Sequence, residues 1–254
     1  MSVIQYDSTD LFDTNKLLQI GDHASTPSRE INALPLAMRS GSKIVGSQYT
    51  MKDIVVQGVI WSTTESDFQQ KVDELKELLS RPGKYLDFPW RGNIRRYKCI
   101  CSKNPFTEEI RYTGKEMIFN VEFLAYEGFG RSSAVVSDNN NDQTGASISK
   151  ALTITGSHEA MPIITINIDS ETILSKIEIS TNADSNCLSM VQDFAAGDEL
   201  IINFEQRTVN LNGLEIEADG NYPHFPPGAC TYTVALTRTA AQVDINVTYT
   251  PLWL

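Results

Sequence analysis

Gly197-Asp198-Glu199-Leu200-Ile201-Ile202-Asn203-Phe204, then Thr208-Val209-Asn210-Leu211-Asn212-Gly213, then Phe225-Pro226-Pro227-Gly228, is the stretch that decides the class of fold. A glycine–aspartate turn opens an apolar strand. A second strand ends at Asn-Gly, the strongest short-range hairpin signal, and a proline–glycine turn precedes the last strands. The same pattern extends outward. Ile164, Ile166 and Ile168 alternate with Thr165 and Asn167, and Ile177-Glu178-Ile179 and Val243-Asp244-Ile245-Asn246-Val247 keep the period of two that turns one face to a core and the other to water. Turn formers separate these segments and no helical stripe interrupts them. About a hundred residues of this kind predict an antiparallel β-sandwich.

The first half reads differently. Lys43-Ile44-Val45 and Asp53-Ile54-Val55-Val56-Gln57-Gly58-Val59-Ile60 are strand-like, the second a nearly continuous β-branched run that predicts a strand partly covered on both faces. One helix follows, over about residues 65–80. Thr64 caps it, Glu65 and Asp67 place negative charge in its first turn, and Phe68, Val72, Leu75 and Leu79 form one apolar stripe before Pro82-Gly83 stops it. Strand signals return at Lys84–Trp90, at Arg95–Cys101 and at Glu116–Tyr126, with turns expected at Gly92-Asn93 and Asn104-Pro105. The fold class is therefore mainly β with one helix. Ser137-Asp138-Asn139-Asn140-Asn141-Asp142-Gln143-Thr144-Gly145 is polar and rich in turn formers, so residues 132–148 are expected to be a linker or long exposed loop between domains at 1–131 and 149–254.

Composition narrows the function classes. At 254 residues and 41% hydrophobic content there is room for a packed core, and no run of about 18 apolar residues predicts a membrane span. Met1–Asp7 lacks the basic and apolar regions of a signal peptide. Residues 1–133 hold 17 basic and 17 acidic residues, whereas residues 134–254 hold 4 and 15, which accounts for the whole net charge of −11. The second half is thus expected to repel nucleic acid and acidic membranes. The four cysteines are read as reduced thiols: Cys99 and Cys101 share a strand face with parallel side chains, and Cys187 and Cys230 stand alone. Zinc-ligand spacing is missing, so no metal or cofactor is expected.

Candidate chemistry is sparse. His23, His158 and His224 lie far apart in turn-rich contexts, and neither a nucleophile elbow nor a phosphate-binding loop occurs; Gly128-Phe129-Gly130 is only a fragment of one. Glu108-Glu109 and Glu215-x-Glu217 are weak carboxylate pairs best read as solvated positions, and Asp138–Asp142 lacks the spacing of a calcium loop. Asn246-Val247-Thr248 matches a glycosylation sequon inside a strand. The densest basic–aromatic patch joins Arg91, Arg95, Arg96 and Lys98 with Trp90 and Tyr97. It suits a nucleic-acid surface, but the favoured reading is a hairpin edge whose arginines pair with acidic neighbours in the same chain or in the next subunit. Tyr222 and Phe225, beside His224 and two prolines, are candidates for a sugar platform, weighed against the commoner role of closing a sandwich end.

Taken in order, Lys52–Ile60, the helix Glu65–Leu79, Gly83-Lys84-Tyr85-Leu86, Arg95-Arg96-Tyr97-Lys98-Cys99, Pro162–Ile166, Gly197-Asp198, Asn212-Gly213 and Phe225–Gly228 resemble the distal tail proteins of long-tailed, non-contractile bacteriophages. The resemblance spans most of the chain. It implies an N-terminal β-barrel flanked by a helix and a galectin-like C-terminal sandwich. It also implies six copies in a ring at the distal end of the virion tail, assembled in the host bacterial cytoplasm. That ring would join the tail-tube protein to the tail-tip or baseplate hub protein and let DNA pass through a central channel, with no enzymatic activity. Trp90, Arg91, Arg95, Ile54 and Val56 are then the candidates for subunit contacts, and the neutral first half suits subunits packed side by side. No segment has the length of the sugar-binding insertion many such proteins carry. The rival readings are a tail-tube subunit, a carbohydrate-binding adhesion module and, least, a glycan hydrolase.

Overall fold

The computed structural model describes residues 4–11, 16–20, 27–35, 42–90, 93–103, 116–171, 174–238 and 241–254. Its contacts divide the chain into two units, Met1–Arg131 with Leu254, and Ser132–Trp253.

The first unit holds β1 (Gln5–Tyr6), β2 (Thr9–Asp10), β3 (Lys16–Ile20), β4 (Arg29–Pro35), β5 (Ser42–Tyr49), β6 (Lys52–Trp61), α1 (Glu65–Leu79), β7 (Lys84–Trp90), β8 (Asn93–Lys103) and β9 (Glu116–Ala125), and the short β10 (Gly130–Ser132) runs across the division. Antiparallel pairing runs in the order β2-β1-β7-β8-β9-β6-β3, while β4 and β5 form a separate two-stranded ribbon. The helix forms as the stripe predicts. The Thr64 side chain accepts a hydrogen bond from the Asp67 amide at 3.3 Å, and Phe68, Val72, Leu75, Leu78 and Leu79 are buried. Each such side chain contributes about 1.5–3 kcal/mol when fully buried, which outweighs the marginal stability of an isolated 15-residue helix. They share one core with Ile54, Val56 and Ile60 of β6 and with Phe119, Val121 and Phe123 of β9. Tyr6 closes that core, its ring centroid 5.1 Å from that of Phe123. The strand β6 is covered less evenly than its β-branched run suggests. One face is wholly buried, while Asp53 and Gln57 on the other are exposed.

The second unit is all-β, as the alternation predicts. It holds β11 (Val136–Gln143), β12 (Ser147–Ile154), β13 (Ile163–Glu171), β14 (Leu174–Thr181), β15 (Cys187–Phe194), β16 (Glu199–Asn203), β17 (Thr208–Leu211), β18 (Leu214–Glu215), β19 (Asp219–Gly220), β20 (Gly228–Arg238), β21 (Ala241–Tyr249) and β22 (Leu252–Trp253). Two antiparallel sheets, ordered β11-β21-β13-β16-β17-β18 and β12-β20-β14-β15-β19, enclose one core. Ile164, Ile166, Ile177, Ile179, Leu200, Ile202, Val234 and Ile245 are all fully buried in it.

The turns are specified locally. Asn212 and Gly213 have φ of 51° and 81°, the two left-handed positions of a type I′ hairpin, which is why Asn-Gly ends β17. Asp198 and Asn212 then stitch neighbouring turns together. The Asn212 Nδ2 donates to Asp198 Oδ1 at 2.7 Å, and its Oδ1 accepts from the Glu199 amide at 3.0 Å.

The polar segment expected to be a linker is instead strand β11, paired with β21 from Val136↔Tyr249 to Gln143↔Val243. It is an edge strand of its sheet. Its buried Asn140 reaches the core side through hydrogen bonds, donating to the Tyr232 hydroxyl at 2.9 Å and to Asp138 at 3.0 Å. A strand that satisfies its inner face with polar bonds carries no apolar alternation. A charged edge also resists pairing with foreign strands.

Candidate functional site

The basic–aromatic patch lies on the β7–β8 hairpin, in register Asp87↔Arg96 and Phe88↔Arg95. Asp87 is buried and accepts two hydrogen bonds from the Arg96 guanidinium, both of 2.8 Å. The fork geometry makes this a strong, charge-assisted pair, and those bonds hold the Arg96 pKa above its ordinary value. The same guanidinium lies 5.2 Å from the centre of the Tyr85 ring. Lys98 and Arg131 both face Glu127, at 4.0 and 2.8 Å. Two of the patch's basic residues, Arg96 and Lys98, therefore pair with acidic neighbours in their own chain. Alternation places Arg95 on the face of buried Tyr97 and Cys99, where it is half-buried. Arg91 and the side chain of Trp90 lie outside the described residues, as do His23, Glu108, Glu109 and the expected Asn104-Pro105 turn.

Two contact candidates must be reassigned. Ile54 and Val56 have no exposed surface and belong to the protomer's own core, and β6 is hydrogen-bonded on both sides by β9 and β3. The β-branched run that suggested an interface is explained by that core. The face of β6 that does look outward carries Asp53 and Gln57. A more open element is the β4–β5 ribbon, where residues 29–33, Val45 and Tyr49 are all exposed.

At one end of the sandwich the Pro223-His224-Phe225 strap crosses the core. Phe225 is 1% exposed and cannot serve as a sugar platform; its ring meets Phe204 edge to face at 5.3 Å. Tyr222 is half-buried and meets the same Phe204 at 5.2 Å. His224 joins groups distant in sequence, with Nδ1 2.8 Å from Glu159 and Nε2 3.7 Å from Asp184. The hydrogen bond to Glu159 raises its pKa, burial opposes that, and the charges of Glu159 and Asp184 add to it. Both ring nitrogens face carboxylates rather than a hydroxyl, so this is a clamp on the strap and not a nucleophile–base pair. Single-sequence reading missed it because its three members come from three turns.

A second convergence also escaped the sequence. Asp142, Asp169 and Asp244 bring carboxylate oxygens within 4.8 Å of one another, at bulges in the pairing of β11, β13 and β21. Burial first, then the charges of Asp244 and Asp142, raise the Asp169 pKa. The cysteines are free, and burial pushes the Cys99 thiol up to about 12, which leaves it unreactive.

Residues 6–125 match the phage tail protein RIFT-related domain, and residues 155–253 match the C-terminal domain of the siphovirus-type tail component. The fold is that of the Dit protein (gp 19.1) of phage SPP1, described as a paradigm of the hub adsorption apparatus in phages infecting Gram-positive hosts. The match has a TM-score of 0.71 at 17% identity and covers 99% of both chains. The chain belongs to the distal tail protein family of siphoviruses. A phage P2 baseplate structure, in its activated conformation with calcium, also aligns, at a TM-score of 0.44 and 9% identity over 97% of this chain and 98% of that one. No curated protein sequence matches.

Membership of the distal tail protein family makes this a structural component of a phage tail. In a distal tail protein, the features that bear on function are surfaces that meet other chains. On that measure the exposed β4–β5 ribbon stands out in the first unit. In the second, the open end around Tyr222 does.

Proposed function

We propose that six copies of this distal tail protein form a ring that joins the tail tube to the tail-tip or baseplate hub, with a central channel for DNA. The observation that carries the reading is the β4–β5 ribbon. Among the described residues this ribbon pairs with no further strand; a two-stranded ribbon is marginal in water, and this one exposes every side chain whose burial is described, Ile31 and Val45 included. A neighbouring copy would cover it. The even charge of residues 1–133 removes the like-charge repulsion that a closed ring would otherwise meet, while the acidic second unit suits the periphery. Arg95, with Trp90 and Arg91, supplies a second contact to the next subunit. DNA passes the channel without sequence-specific contacts, and the ring assembles in the host bacterial cytoplasm.

Negative-stain imaging and light scattering of the full chain test this. Six-fold rings with a pore are expected, and strict monomers at high concentration would refute self-assembly. Arg95→Glu and Trp90→Ala are expected to shrink the assembly; unchanged oligomers in both would remove the hairpin tip from the interface.

A further inference from the structure

The two sheets of the sandwich end on β18 and β19, and the chain passes from one to the other through Ile216-Glu217-Ala218. Gly220 makes the last step possible: with φ +98°, it brings β19 so close to β15 that a Cβ would lie 2.1 Å from the Cys187 carbonyl oxygen. Two clefts open at this end. One, of about 640 Å³, takes its polar groups from Arg207, Tyr222, Glu215, Glu217 and Asp219. The other, of about 270 Å³, is lined by Glu159, Phe204 and His224 and again by Arg207 and Tyr222. Arg207 and Tyr222 thus stand in the walls of both.

The state of the polar groups is informative. Arg207 is one of only four basic residues between positions 134 and 254. Yet among the described residues its side chain makes no ion pair or hydrogen bond, and the same is true of Glu215, Glu217 and Asp219 in the same cleft. The four-residue turn after β16 fixes the backbone that presents Arg207. Asn203 Oδ1 accepts from the Glu205 and Gln206 amides at 3.0 Å each, and Arg207 itself takes a left-handed φ of 55°. The Tyr222 ring is fixed edge to face against Phe204, which in turn packs on buried Phe225, and its hydroxyl has no partner among the described residues. On the far side, Glu159 and His224 hold each other at 2.8 Å.

These groups select a ligand class. Three unpaired carboxylates against one guanidinium disfavour an anion. The lining is too polar to recommend an apolar small molecule. A guanidinium offers donors in a fixed fork, carboxylates offer acceptors, and a rigid aromatic offers a flat apolar surface. Together they match a molecule that carries adjacent hydroxyls on a ring with an apolar C–H face. We propose that the paired clefts form one site for a neutral saccharide, with Tyr222 as the stacking surface, Arg207 as donor, and Glu215 and Glu217 as acceptors of its hydroxyl protons. A chain of more than one sugar ring would straddle the Arg207–Tyr222 wall. The site is independent of the ring, which the first unit builds.

The test is an array of neutral glycans probed with the full chain, followed by titration calorimetry with the best binder, with sialyllactose and heptalysine as charged controls. Binding of at least one neutral glycan is expected, with none of sialyllactose. Arg207→Asn, which tolerates the left-handed backbone, and Tyr222→Ala are each expected to weaken it about tenfold or more, the loss when a site's hydrogen-bonding group is removed. Melting curves in which both variants stay fully folded at the assay temperature confirm that the loss is local. No neutral binder on the array, affinity unchanged in both variants, or selective capture of heptalysine would each overturn the assignment. Six-fold rings without saccharide binding would remove this site and leave the assembly reading intact.

Discussion

Replacing Phe225 with alanine separates a core residue from a surface platform. The ring is 1% exposed and packs edge to face on Phe204. A buried aromatic of this kind removes about 150–250 Å² from water, and at about 25 cal/mol per Å² the loss is about 4 kcal/mol, inside the range of about 3–5 kcal/mol seen when core phenylalanines are truncated. The unit that contains it runs from Ser132 to Trp253. With an unfolding entropy of about 2.1 cal/mol/K per residue, that loss lowers the melting temperature of this unit by about 15 °C. Differential scanning calorimetry of the full chain reads it directly, because the endotherm that moves is that of the sandwich. Tyr222→Ala, at a half-buried ring, is expected to move it less. A surface aromatic would change stability by no more than about 0.5 kcal/mol, or about 2 °C. A shift that small for Phe225→Ala would refute its place in the core and restore it as a platform.

Asp87→Ala removes the acceptor of the Arg96 fork, and the first unit is expected to lose about 2 kcal/mol in a urea titration; the figure lies below the full cost of breaking a buried pair because the Arg96 side chain is 35% exposed. Arg96→Lys, which cannot make both bonds, is expected to recover little of it. His224 gives a pH signature: its folded pKa is raised, so its clamp stabilises fully below the unfolded pKa near 6.5 and fades as pH climbs through the folded value. Wild type is therefore expected to lose stability relative to His224→Gln as pH rises from below about 6.5 through the raised folded pKa. Parallel pH profiles of the two melting temperatures would discard the clamp.

How much the sequence could disclose followed from how local each determinant is. The helix Glu65–Leu79 and the Asn212-Gly213 turn were legible because a cap, a stripe and a pair of left-handed residues act within a few positions. The alternation of Ile164, Ile166 and Ile168 announced a half-buried strand for the same reason. Ile54 and Val56 misled because β-branched residues serve a private core and a shared interface equally well, and only burial separates them. Phe225 misled because a proline-rich strap reads as surface until the chain folds it over the end of the sandwich. The β11 strand carries no strand pattern in its sequence because its inner face is satisfied by Asn140 rather than by apolar side chains. The clefts around Arg207 draw on β15, β17, β18, β19 and two turns, so no single window of sequence contains them.

That same β11 has a consequence for how such chains are recognised. It is defined by the hydrogen bonds of its backbone to β21, and only Asn140 among its side chains is buried. Most of its residues are interchangeable with other polar ones at little energetic loss. A segment specified by main-chain geometry leaves a faint trace in the alphabet of side chains. It lies in the gap between the two stretches that carry the family's signature, although the three-dimensional likeness runs through it without a break. In this chain, likeness of fold extends further than the two sequence signatures do.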